Sequence, residues 1–407
     1  MNISKKLLTF IALLFGSSPL VHGGTISGGT SDSGLNSGAE KTLSMFSGDL
    51  YDNFRNFRRY GDTSVIPIGE VIPLPHREFK LNFSTEFLGE KISLEEFIDR
   101  SNTSAFLVLK DGEIIFERYF HGDSADSRHM SFSVAKSFVS ALVGAAVEEG
   151  KISSIDDPIQ KYLPELDSPT FDGVTIKHIL QMSSGVRFNE DYTDPKSDIN
   201  KMVGAVQTMS YLQYINGLER EHPPGTYNHY ASINPQLLGI LLIRVTGKSL
   251  TDYSAEKIWK PLGMEKTGYW RLDNQGLELA MGGMAATARD YARLGLLYLN
   301  KGRVGDKQVL PESWVHDSVI PNEPHLMPGE NPMSSSTFGY QYQWWMPPKY
   351  DGDFLARGIW GQNIYVHPGN RVVIVKLSAD PKNFDGAYKD TYINYIQELA
   401  QSLADNP

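Results

Sequence analysis

Ser133-Val134-Ala135-Lys136 places a hydroxyl and an amine three residues apart at the start of a predicted helix, so both side chains share one face within about one turn. A serine hydroxyl is a poor nucleophile at neutral pH and needs a base beside it; a lysine serves only where burial or a positive potential lowers its pKa. The helix predicted from Ser133 to Glu149, ended by Gly150, is apolar nearly all round, with Val134, Phe138, Val139, Leu142, Val143, Ala146 and Val147. Such a helix is expected in the interior. Its buried N-terminus disfavours an ammonium and offers free N–H groups to an oxyanion. Spacing alone is weak, because composition produces on the order of one or two S-x-x-K matches by chance. A second copy does occur, Ser254-Ala255-Glu256-Lys257, in a segment with Tyr253, Ile258 and Trp259 that reads as an amphipathic surface helix with no start signal at the serine.

Two further segments can complete such a site. Pro223-Pro224-Gly225-Thr226 predicts a rigid turn before Tyr230-Ala231-Ser232, and a phenol near a lysine can pass a proton to a leaving group. Taken alone, a tyrosine in this position packs more often than it reacts. Gly358-Ile359-Trp360-Gly361-Gln362 leads into a strand, and glycines beside an edge strand let a substrate backbone approach. By itself that segment is only a turn before a strand. Rival chemistries lack their patterns: there is no G-x-S-x-G elbow, no H-E-x-x-H helix, no P-loop and no G-x-G-x-x-G after a strand. His121, His222, His229 and His367 are scattered without ligand spacing, so no metal or other cofactor is expected.

The elements that must position these residues follow from pattern. Ala105 to Leu109 and Ile114 to Tyr119 read as a hairpin around Asp111-Gly112. Residues 156 to 284 read as mainly helical, including Thr175 to Met182 and Leu237 to Val245, each closed by a glycine signal. A helix is predicted at Ala288 to Asn300, then strands at Asn363 to His367 and Arg371 to Leu377, then a last helix from about Ala387 to Leu403. Strands at both ends with a helical insertion between them predict an α/β (α+β) architecture. One antiparallel sheet is built from the two ends of the domain and covered by helices, beside a mainly helical lobe. The expected divisions are a compact domain over 76–407, with a sheet lobe of about 76–155 and 285–407 and a helical lobe of about 156–284. A site belongs in the cleft between the lobes.

The chain has 407 residues, enough for a buried catalytic cleft, and a formal charge of -10 with no basic stripe. Nucleic acid is therefore not an expected partner. With no cysteine, disulfides, thiolate nucleophiles and Cys-ligated metals are excluded. Lys5 and Lys6 precede the apolar run Leu7 to Phe15, and small residues lead to Val21-His22-Gly23-Gly24, which predicts a signal peptide over 1–23. The run is too short to span a bilayer. A periplasmic or secreted location without stable membrane insertion is the expectation. Residues 24–75 read as a tether, Gly/Ser/Thr-rich to about Gly38, and an N-terminal extension in which Phe54, Phe57 and Tyr60 alternate with Arg55, Arg58 and Arg59.

In this order, Ser133-x-x-Lys136, Tyr230-x-Ser232 after a Pro-Gly turn, and a glycine-bearing strand resemble the serine β-lactamase and penicillin-binding superfamily. The resemblance runs from about residue 95 to the C-terminus. The phrases SFSVAKSF, ILQMSSGV, EDYTDPKSD and GIWGQ are most similar to the class C-like branch that holds family VIII esterases and 6-aminohexanoate-dimer hydrolases. It implies that Ser133 is acylated, Lys136 is the general base and Tyr230 protonates the leaving group. Tyr192, Ser232, Trp360, Gly361 and Gln362 would contact substrate, and the N–H groups of Ser133 and of Gln362 or Asn363 would form the oxyanion hole. One departure stands out: the superfamily's Lys-Thr-Gly cation has no counterpart in Trp360-Gly361-Gln362, with only Arg357 nearby. The expected function is hydrolysis of small esters or linear amides. A β-lactamase or D-alanyl-D-alanine peptidase is the alternative, and a non-catalytic penicillin-binding-like sensor a further one.

Overall fold

The computed structural model describes residues 45–194 and 196–404, so the predicted signal peptide (1–23) and the Gly/Ser/Thr-rich tether lie outside the described residues. The main sheet is antiparallel throughout and draws its strands from both ends of the domain. In chain order these are β2 (Thr103–Lys110), β3 (Glu113–Tyr119), β7 (Gly339–Gln341), β8 (Trp344–Met346), β9 (Phe354–Gly358), β10 (Gln362–His367) and β11 (Val372–Ser378), in the spatial order β7-β8-β9-β10-β11-β2-β3. The hairpin between β2 and β3 turns at Asp111 and Gly112, whose φ angles of 56° and 88° are those a tight two-residue turn needs. All eight residues of β2 are buried, because helices cover both faces of the sheet and leave no face for polar alternation.

On one face lie α3 (Ala135–Glu148) and α5 (Ala288–Leu299); on the other lie α2 (Leu94–Arg100) and the C-terminal α6 (Gly386–Gln401). The first face continues into the helical lobe through α4 (Ile233–Thr246), which packs on α3 and ends at Gly247 with φ 65°. Every residue of α3 from Ala135 to Ala146 is buried, as its apolar circumference requires.

Two boundaries differ from the sequence expectation. The helical lobe does not extend to residue 284: β5 (Gly268–Arg271) and β6 (Met284–Ala286) join β1 (Thr63–Ile66) and β4 (His129–Met130) in a second antiparallel sheet, ordered β1-β5-β6-β4. The compact structure also begins before Pro75. A short helix α1 (Leu50–Arg55) and the turn Phe57–Tyr60 bury Phe54 and Phe57, which pack with Met45, Met130, Phe132 and Trp360 in a separate aromatic core. The alternating Phe/Arg pattern of this segment has a period too short for its apolar face to be read with assurance until its partner surface is known.

Candidate active site

The turn that carries Ser133 is built by three backbone features. β4 delivers Ser131, whose N–H donates to the Met284 carbonyl at 2.8 Å; Phe132 takes a left-handed φ of 46°; and the single 3-10 turn Phe132–Val134 leads into α3. Ser133 is the one partly exposed residue in this otherwise buried run. Lys136, 2 % exposed, lies one turn on, with Nζ 2.8 Å from Ser133 Oγ and 2.5 Å from the Met281 carbonyl. Burial lowers its pKa to about 7, against a smaller opposing effect of the Glu190 carboxylate. A neutral amine in this place donates one hydrogen to Met281 and offers its lone pair to the serine proton. Gly282, beside Met281, approaches the Phe132 backbone closely enough that a Cβ would stand 3.4 Å from it.

Tyr230 also reaches Ser133. Its hydroxyl is within hydrogen-bonding reach of the serine, its ring lies 5.2 Å from Lys136 Nζ, and it stacks on Trp345 at 5.2 Å. Burial raises its pKa, so it is a neutral phenol able to donate a proton. The turn before it is fixed where Gly225, at φ 75°, passes so near His178 that a Cβ would stand 2.6 Å from Nε2.

Ser232 sits at the start of α4 but does not cap it. Its Oγ donates to Glu190 Oε1 at 2.5 Å and its N–H to Glu190 Oε2 at 2.9 Å, while Tyr192 OH donates to the same Oε1 at 2.6 Å. Glu190 thus gathers the two predicted substrate contacts, Ser232 and Tyr192, onto one half-buried carboxylate within electrostatic range of Lys136 and Tyr230. Sequence reasoning assigned it no role, although it opens the EDYTDP phrase. A carboxylate two residues from a tyrosine has no signature until α4 folds beside it.

The third motif is corrected. Trp360, Gly361 and Gln362 do not face Ser133. Trp360 is 3 % exposed, its indole packed against Phe46, Phe54 and Phe384. A Cβ on Gly361 would meet Ser378 Oγ at 2.5 Å, and the Gln362 side chain is spent on the Ser378 backbone, donating to its carbonyl at 2.6 Å and accepting from its N–H at 3.1 Å. Asn363 is flanked by Arg357 on β9 and Lys376 on β11, so its backbone belongs to the ladder rather than to an oxyanion hole. The residue that meets the nucleophile turn is Gly358, where a Cβ would stand 2.5 Å from the Ser131 carbonyl, and Ile359 beyond it is partly exposed. The offset arises because Trp360 (φ 65°) and Gly361 (φ 86°) form a left-handed turn that swings the chain away from the cleft. Arg357, just before Gly358, lies over the rings of Phe338 (4.1 Å) and Trp345 (5.3 Å) with its pKa lowered to about 10 by burial.

Ser254, the second S-x-x-K serine, is buried rather than on the surface. Its Oγ donates to the Leu250 carbonyl at 2.7 Å and accepts from Trp270 Nε1 at 3.1 Å, and Lys257 pairs with Glu149 and Glu256. It is a structural serine with its lysine turned away.

A helix-borne serine and buried lysine beside a phenol, at the junction of an antiparallel sheet and a helical lobe, define an active-site-serine hydrolase fold. Residues 94–398 match the Beta-lactamase family profile, and the chain belongs to that family as a hydrolase. Over 300 residues it is 32 % identical to the 6-aminohexanoate-dimer hydrolase of Paenarthrobacter ureafaciens, covering 71 % of this chain and 75 % of that protein. A Bacillus anthracis structure provisionally designated a 6-aminohexanoate-dimer hydrolase superposes with a TM-score of 0.80 at 26 % identity, covering 93 % of this chain and 100 % of that one. EstCE1, described as a hydrolase with promiscuous acyltransferase activity, shares the fold at a TM-score of 0.59 and 16 % identity, covering 74 % of this chain and 96 % of that one.

Proposed function

We propose that this protein hydrolyses linear amides and esters through an acyl-enzyme on Ser133. Lys136 takes the serine proton as Oγ attacks the carbonyl carbon, and the carbonyl oxygen becomes an oxyanion. The C–N or C–O bond then breaks, with Tyr230 giving its proton to the departing nitrogen or oxygen; water, activated by the same groups, releases the acid. The second oxyanion donor beside the Ser133 N–H is the Ile359 N–H, the first past the Gly358 contact. The observation that carries this reading is the 2.8 Å contact between Ser133 Oγ and a lysine whose pKa burial holds at about 7. The resemblance to 6-aminohexanoate-dimer hydrolases supports a linear amide as substrate.

Arg357 favours one alternative. Among the described residues it has ring partners and, at longer range than an ion pair, the Asp390 carboxylate, and such a cation beside Tyr230 and Trp345 suits an anionic group, including a β-lactam carboxylate. Steady-state kinetics on p-nitrophenyl esters, 6-aminohexanoate dimer and nitrocefin separate the two. We expect the best ester or amide to exceed nitrocefin in kcat/KM by at least roughly tenfold, because a flexible acyl chain needs no fixed carboxylate contact. Nitrocefin turnover equal to or faster than that would establish the β-lactamase reading instead. The basic-apolar N-terminus supports a site of action outside the cytoplasm, which fractionation of the full-length chain tests.

A further inference from the structure

The family match begins at residue 94, yet rings of the segment before it pack on the side chains of both turns of the site. Phe54 meets Phe132 edge-on at 5.0 Å and Trp360 at 5.7 Å; Phe46 stacks on Trp360 at 6.2 Å and lies 6.1 Å from Phe132. Phe132 and Trp360 are the residues with left-handed φ, 46° and 65°, that flank the two N–H groups assigned above to the oxyanion hole, on Ser133 and Ile359. A bulky residue in that conformation is strained and persists only where its surroundings hold it.

The segment is itself anchored away from the rings. Arg55 Nη1 lies 2.5 Å from Asp123 Oδ1 and 3.0 Å from the His121 carbonyl, and Asp123 Oδ2 lies 2.6 Å from His129 Nε2 on β4, the strand that feeds the nucleophile turn. Tyr51 stacks on His121 at 3.9 Å, and its hydroxyl donates to Asn102 Oδ1 at 3.3 Å.

We propose that residues 45–60 are a positioning clamp: Phe46 and Phe54 hold Phe132 and Trp360 in their left-handed conformations, so that the Ser133 and Ile359 N–H groups point at one oxyanion. The proposal rests on the oxyanion assignment, and the experiment separates the two. Phe46→Ala, at a half-buried ring, and Phe54→Leu, which keeps most of the apolar volume, are assayed in the full chain with p-nitrophenyl acetate, alongside Gly358→Ala and the conservative Phe46→Tyr. Working well below each Tm, we expect kcat to fall about tenfold or more in Phe46→Ala and Phe54→Leu, as for weakened oxyanion donors. KM should stay within about threefold, the mark of an interaction made only in the transition state. Affinity for a phenylboronic acid, whose tetrahedral adduct needs the same donors, should fall in step with kcat/KM, and Phe46→Tyr should retain wild-type kcat. Wild-type kcat in both clamp variants, with only Tm lowered, would overturn the clamp while leaving the hole intact if Gly358→Ala is impaired. Full activity in Gly358→Ala would instead overturn the oxyanion assignment.

Discussion

Replacing Glu190 by glutamine removes a negative charge near Lys136 and should therefore shift the acid limb of the pH–rate profile to lower pH. Lys136 works as a base only when neutral, and burial places its pKa at about 7. In the wild type kcat/KM should be level above about pH 8 and fall about tenfold per pH below 6, with about one-tenth of the plateau left at pH 6. Glu190 stabilises the ammonium form and so raises this pKa. An attraction on the order of 1 kcal/mol between this half-buried carboxylate and the buried amine moves the midpoint by roughly 0.7 pH. The limb of Glu190→Gln should therefore centre near roughly 6.3, leaving about one-third of its own plateau at pH 6, some three- to fourfold more than wild type in relative terms. The plateau itself should drop, because the amide of that variant would offer one acceptor oxygen to three donors now served by two, the Ser232 N–H, Ser232 Oγ and Tyr192 OH. The assay is single-turnover acylation by p-nitrophenyl acetate from pH 5 to 9, normalised to each plateau. A limb that stays in place or moves upward would refute the electrostatic account, and a limb that persists in Lys136→Ala would show that another group titrates.

Ser133→Ala should abolish turnover and fluorophosphonate labelling with the Tm preserved, whereas Ser254→Ala should keep full kcat and lose about 1–3 kcal/mol of stability with its two hydrogen bonds; labelling of Ser133→Ala would reject the nucleophile. Gly358→Ala forces a Cβ to 2.5 Å from the Ser131 carbonyl, and the displaced Ile359 N–H should cost about 10²–10³ in kcat, measured with the same ester. Trp360→Lys should unfold the aromatic core instead of supplying a substrate cation, seen as a fall in Tm of several degrees and no gain on nitrocefin, since the indole is 3 % exposed. Lys136 and Lys376 are both held at about 7 by burial, far below an unfolded lysine near ~10.4. Between these values the unfolded chain binds more protons, so the urea midpoint should rise with pH from about 7 to about 10, and Lys376→Met should flatten that rise.

The sequence by itself determined the family and the order of elements. An all-round apolar helix that begins one residue past Val134 leaves Lys136 only a buried place, and burial lowers its pKa to about 7. The β2–β3 hairpin was readable because Asp111-Gly112 fixes a turn locally, and the sheet drawn from both chain ends followed from where the strand-like runs fall. Contacts between segments distant in sequence were decided only by tertiary structure. Glu190 acquires its role from α4 folding beside it, 42 residues on. Residues 45–60 carry no catalytic pattern and gain meaning only as rings packed behind Phe132 and Trp360. The third motif was misplaced for the same reason. A run such as Gly358-Ile359-Trp360-Gly361-Gln362 offers two glycines, and which one lies against the nucleophile depends on the left-handed turn at Trp360. That turn is stable because the indole is buried and the Trp360 carbonyl accepts from Ser378 Oγ at 3.0 Å and the Asp380 N–H at 3.0 Å, partners from the end of β11 and just beyond it that local propensity does not encode.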